Sequence, residues 1–171
     1  MSLSKAFLTS FLAWCVIAMV QVTEAAKTVE ECERQIPASL KGRLCEVRQY
    51  KIIDGPDMDK HMDCVMKALK IVDKEGRGDY HKLYTPMNSI ERDRKHDLNL
   101  ETCIGKTFKL PNVGGRANAF YKCMLNSNSA DSFKKAFDLI ELIRAGKLSK
   151  FAKYSDEVPK MMKKIDAKIC K

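Results

Sequence analysis

The chain has 171 residues, 45% of them hydrophobic, and a formal net charge of +9. That length supports one domain with a real core and is too short for two generous ones. One long apolar segment stands at the start and no second one follows, which excludes a membrane-spanning helix in the mature chain.

The opening stretch MSLSKAFLTSFLAWCVIAMVQVTEAA has a single Lys5 ahead of an apolar run that ends in small residues, with no stop-transfer charges. This is the pattern of a secretory signal peptide. Cleavage near Ala25 or Ala26 assigns residues 1–26 to the signal and 27–171 to one mature domain, and Cys15 leaves with the signal. Cys32, Cys45, Cys64, Cys103, Cys123 and Cys170 then remain. An even set bound for an oxidising compartment implies three disulfides, although spacing alone does not choose among the possible pairings. No CxxC pair and no histidine at zinc-finger spacing accompanies them, so no metal and no cofactor is expected. The chain has no Asn-X-Ser/Thr acceptor.

The mature chain reads as helix throughout. TVEECERQI predicts a short helix ending before Pro37. ASLKGRLCEVRQYKII predicts a second, with Leu40, Leu44, Val47 and Tyr50 or Lys51 at helical spacing up to the break at Gly55 and Pro56. DMDKHMDCVMKALKIVD starts acidic, as the helix dipole prefers, and carries Met62, Val65, Met66, Leu69 and Val72 toward Gly76 and Gly78. The following stretch, His81 to Phe108, reads as short helices interrupted at Pro86, with an exposed charged turn in its middle. Pro111 and Gly114-Gly115 precede a helix holding Ala119, Phe120, Cys123 and Met124, and NSNSAD is a linker.

FKKAFDLIELIRAG then predicts a helix stopped by Gly146. Phe133, Phe137, Ile140 and Ile143 mark one apolar stripe, and Asp138 and Glu141, three residues apart, share the adjoining face. Helical spacing leaves open whether that face meets solvent or lines a pocket. The tail carries Met161, Met162, Ile165 and Ile169 at helical spacing, with Cys170 fastening its end to something earlier. No segment alternates as a strand does, so the fold class is all-α.

The segments EECERQIPASLKGRLCEVRQYKIIDGPDMDKHMDCVMKALK, GRGDYHKLYTPMNSIERDRKHDLNLETCIGK, AFYKCML and FKKAFDLIEL resemble the short D7-related salivary proteins of blood-feeding mosquitoes, distant relatives of insect odorant-binding proteins. The resemblance spans essentially the whole mature chain. It implies a compact bundle of about eight helices with pairings Cys32–Cys64, Cys45–Cys170 and Cys103–Cys123, and the chain is expected to be a monomer. It also implies a central pocket for host biogenic amines: serotonin, noradrenaline and histamine. On that basis Asp138 and Glu141 hold the ammonium, Phe137 and Tyr121 line the pocket beside it, and Glu33, Arg48 and His61 stand near the ligand's other polar groups.

The chemistry is consistent with that assignment. A protonated amine taken out of water needs replacement charge and hydrogen bonds. Two neighbouring carboxylates raise each other's pKa unless a cation sits between them, which favours cationic ligands. Arg48 can balance the excess acid, His61 or Tyr121 can meet a phenolic hydroxyl, and Phe137 supplies apolar area. The function implied is a secreted salivary scavenger acting against haemostasis and inflammation.

Enzyme chemistry has no competing motif, since His61, His81 and His96 fall in no HExxH pattern and neither a GxSxG elbow nor a phosphate loop occurs. GRGD at Gly76–Asp79 reads as an ordinary exposed turn. From Arg144 to Lys171 nine Lys or Arg stand against three acids. This is a solvated face or a docking patch for polyanions or proteins. Some salivary relatives resemble inhibitors of the plasma contact pathway, so protein docking on coagulation factors is the alternative function. Nucleic acid is not expected as a partner, for no basic and aromatic residues interleave.

Overall fold

The computed structural model describes residues 28–170; the signal-peptide expectation falls on residues outside this range. Among the described residues there are nine α-helices: α1 Val29–Arg34, α2 Ala38–Lys41, α3 Leu44–Arg48, α4 Pro56–Ala68, α5 Tyr80–Ile90, α6 Lys95–Phe108, α7 Arg116–Leu125, α8 Ala130–Arg144 and α9 Glu157–Ile169. A 3₁₀ turn, Val113–Gly115, precedes α7. No strand occurs among these residues, and a single bridge joins Val72 to Gly78.

Local chemistry sets most boundaries. Thr28 and Glu31 form a capping box at the start of α1, so two backbone donors that the helix itself leaves unpaired are satisfied. Gly55, at φ 117°, turns the chain into α4, whose first residue is Pro56 and whose first turn holds Asp57 and Asp59. Asp79 caps α5. At the end of α8, Gly146 takes φ 67°. Its N–H donates to Ile143 and the N–H of Lys147 donates to Leu142, the paired bonds of a glycine-terminated helix.

Three expectations are corrected here. The segment from Ala38 is two helices, because the chain turns at Gly42 and Arg43 before α3 begins. Pro86 does not interrupt α5 but lies inside it. Leu83 and Met87, one turn apart, are fully buried, and their packing outweighs the missing N–H of the proline. Gly76–Asp79 is a structural turn rather than an exposed one: Gly76 is buried, and a Cβ on Gly78 would lie 2.7 Å from the Phe120 ring.

The main core gathers side chains from α1 to α8, including Met62, Met66, Leu100, Phe120, Met124, Phe133 and Phe137. A second cluster joins Leu139 and Leu142 of α8 to Val158 and Met162 of α9. Helix α8 is therefore apolar on two flanks, not on one stripe, and the acids occupy the arc between them. The disulfides pair as the resemblance implied: Cys32–Cys64 ties α1 to α4, Cys103–Cys123 ties α6 to α7, and Cys45–Cys170 ties α3 to the end of α9.

Candidate functional site

Helices α1, α3, α4, α7 and α8 enclose a small cavity. Glu33, Arg48, His61, Tyr121, Phe137, Asp138 and Glu141 all line it. Every residue that the sequence analysis placed at the site is thus brought to one place. The space left between them is about 30 Å³. That is too little space for an aromatic ring unless side chains move apart.

The organising group is Arg48, on the last turn of α3. Its Nη1 donates to both oxygens of Glu141 at 2.9 and 3.0 Å and to Glu33 at 3.2 Å, while its Nε donates to Asp166 at 2.9 Å. Asp166 reaches it through the fold's own staple. Arg48 is three residues after Cys45 and Asp166 four before Cys170, so the Cys45–Cys170 bridge lays one helical turn of α3 against the last turns of α9. Arg48 Nη2 is buried without a hydrogen-bond partner, and so is Nδ1 of His61. Both are polar atoms at the cavity wall whose hydrogen-bonding capacity a ligand hydroxyl could satisfy.

Asp138 is held differently. The Tyr50 hydroxyl donates a hydrogen bond to it. Tyr50 follows α3 in a left-handed conformation, φ 60°, which is costly for a residue with a Cβ. That turn sends its ring against Phe137 and Tyr121, at centroid distances of 5.9 and 6.4 Å. Phe137 in turn packs on Phe133 and Tyr121. The aromatic wall thus continues into the core.

Four carboxylates and one guanidinium meet here, and titration follows from that imbalance. Burial pushes the Asp138 carboxyl up to about 6, with Glu141 adding to the rise and the Tyr50 bond opposing it. Burial likewise raises Glu141 and Glu33, against the pull of Arg48. Burial disfavours the charge on Arg48, but Glu141, Glu33 and Asp166 together hold it firmly protonated. His61 is lowered to about 4 by burial and by the charge of Arg48, so it is neutral at physiological pH. The Tyr121 hydroxyl is raised by burial and stays protonated. The cavity lining is anionic, with Glu33, Asp138 and Glu141 against the single guanidinium of Arg48.

Comparison with known proteins agrees with this architecture. The PBP/GOBP family matches residues 18–127. A short form salivary protein, D7R1 of Anopheles gambiae, is 58% identical over 98% of both chains. The chain belongs to the PBP/GOBP family, among its short-form D7 salivary proteins. Another short form from the same mosquito, D7R4, is 52% identical over 91% of this chain and 92% of its own. The crystal structure of the D7R4–norepinephrine complex superposes with a TM-score of 0.81, covering 85% of this chain and all of that one. A leukotriene E4 complex named AeD7 is 24% identical over 86% of this chain and half of its own, with a TM-score of 0.62, and shares the PBP/GOBP fold.

Sequence reasoning did not find Tyr50 or Asp166. The signal for Asp166 was present once the Cys45–Cys170 pairing was in hand, since residues one turn from each bridged cysteine face each other. Helical spacing makes Tyr50 a helix position, and its left-handed turn has no mark in composition.

Proposed function

We propose that the mature chain is secreted in saliva, with residues 1–26 as its signal peptide, and binds protonated biogenic amines in this cavity one to one, without turnover. The observation that carries the reading is the buried surplus of carboxylates: Glu33, Asp138 and Glu141 line a cavity whose sole cationic lining residue is Arg48. A ligand ammonium between Asp138 and Glu141 supplies the missing charge, displacing the Tyr50 hydroxyl from Asp138. Its ring lies against Phe137 and Tyr121, and its hydroxyl meets Arg48 Nη2 and His61 Nδ1. That the D7R4 relative was crystallised with norepinephrine supports the same chemical class for this chain. Serotonin, noradrenaline and histamine all carry the ammonium, and lowering their free concentration opposes vessel constriction, platelet responses and inflammation.

The test is isothermal titration of serotonin, noradrenaline and histamine into oxidised protein lacking residues 1–26. Saturable binding at one site is expected, with loss of at least about two orders of magnitude in Asp138→Ala/Glu141→Ala, since each removes a charge-assisted bond. An unaltered helical spectrum in the double variant separates a lost site from a lost fold. Wild-type protein that binds none of the three amines overturns the reading.

A further inference from the structure

A second concave surface adjoins the cavity and shares Val29, Glu33 and Glu141 with it. It is a groove of about 600 Å³ lined by four cations, Lys70, Arg144, Lys147 and Lys168. They come from three separate stretches: just after α4, around the C-terminus of α8, and the last turn of α9. All four are exposed, and none is ion-paired among the described residues. Two of the three acids that line the groove, Glu33 and Glu141, are largely buried at its inner wall where it meets the cavity. Glu33, Glu141 and Asp166 are all held by Arg48, which leaves Glu30 as the unengaged carboxylate of the groove. Arg48 therefore segregates charge, drawing carboxylates inward and leaving the outer surface basic.

The track extends beyond the groove. Lys160, Lys164 and Lys168 recur every four residues on the exposed face of α9, a run of about 12 Å at the helical rise. The floor of the groove is aliphatic, with Val29, Ala68 and Ile165, and no aromatic residue lines it. It offers no stacking platform for nucleic-acid bases. A bilayer is flat and cannot follow a recess, whereas a flexible linear polyanion can enter it and continue along the helix. Lysine ammonium groups meet such a chain as adaptable point charges and release its counterions.

We propose that this groove and the α9 lysine track bind a sulfated polysaccharide, independently of the amine cavity. The test is titration of a heparin octasaccharide into oxidised protein lacking residues 1–26, at about 150 mM salt and at lower salt. Binding is expected to strengthen as salt falls and to require sulfate, so the desulfated octasaccharide does not bind. Lys70→Glu/Lys147→Glu/Lys168→Glu is expected to lose at least about tenfold in affinity and to flatten the salt dependence. Lys82→Glu/Lys106→Glu/Lys109→Glu makes the same charge change at exposed positions outside the groove and is expected to bind within about threefold of wild type. Unchanged serotonin titration in both variants shows that the fold is intact and keeps this outcome separate from that of the amine site. The proposal is overturned by absence of binding, by equal losses in the two variants, or by tighter binding to phosphatidylserine vesicles than to the octasaccharide.

Discussion

At the scale of single residues, Asp138 and Arg48 decide the behaviour of the site in opposite ways. Asp138 has its pKa raised to about 6, chiefly by burial, while His61 is lowered to about 4. Between pH 8 and 5 the ligand amines stay cationic and His61 stays neutral, so the pH dependence belongs to the carboxylates. Amine affinity is expected to be flat above pH 7 and to fall below about 6, approaching tenfold per pH unit as Asp138 takes up a proton. Titration calorimetry across this range checks it, and affinity that rises as pH falls would contradict it. The ligand-free protein shows the reverse linkage. A folded pKa above the unfolded value means that the native state holds the extra proton between about pH 4 and 6, so Asp138 erodes stability as pH rises through that window. Arg48 does the opposite, for Glu33, Glu141 and Asp166 depend on it. Arg48→Met leaves those three carboxylates without their cation and is expected to cost on the order of 3–5 kcal/mol in urea unfolding at pH 7.5. The deficit should shrink as pH falls, because burial already raises Glu33 and Glu141 and the loss of Arg48 removes the pull that opposes the rise.

At the scale of elements, disulfides stand in for helix length. Helices α1, α2 and α3 have six, four and five residues, too short to persist alone, and bridges from Cys32 and Cys45 fasten α1 and α3. The bridges close loops of very different size, with sequence separations of 125, 32 and 20 for Cys45–Cys170, Cys32–Cys64 and Cys103–Cys123. Chain entropy then orders their removal, as paired alanines, at about 5, 4 and 3 kcal/mol. Loss of Cys45–Cys170 is expected to weaken amine binding as well, because it frees Asp166 from Arg48; loss of Cys103–Cys123, whose cysteines lie outside the cavity lining, should leave affinity nearly unchanged. Urea unfolding and calorimetry on the three paired variants measure both. The same elements show what was legible in the sequence. The long periodic helices α4, α7, α8 and α9 were plain, as was the glycine stop of α8. Pro86 misled because a local rule yielded to burial of Leu83 and Met87 on either side of it. Asp138 and Glu141 could be placed on one helix face from spacing, but that the face is roofed by α1 and α3 is a tertiary fact, available only through the family resemblance.

At the scale of the whole molecule, the cavity sits where the main core would otherwise close. Its walls come from α1, α3, α4, α7 and α8, so helices from both halves of the described chain converge on one cluster of charge. A ligand filling the cavity would contact all five helices at once. Ligand binding should therefore stabilise the entire fold rather than one lobe. At free serotonin 100-fold above its dissociation constant, the unfolding free energy is expected to rise by about 2.7 kcal/mol. The rise should appear as a higher urea midpoint with an unchanged slope, because the surface exposed on unfolding is the same. Helix α9 makes this a demanding test. Its apolar contacts form a separate cluster, reached through α8 and the Cys45–Cys170 bridge. If α9 and its cluster unfolded before the main core, fluorescence from the aromatic wall and far-ultraviolet helicity would give different midpoints. Coincident midpoints that move together with serotonin, and do not move in Asp138→Ala/Glu141→Ala, would show that the buried charge cluster and the core form one cooperative unit.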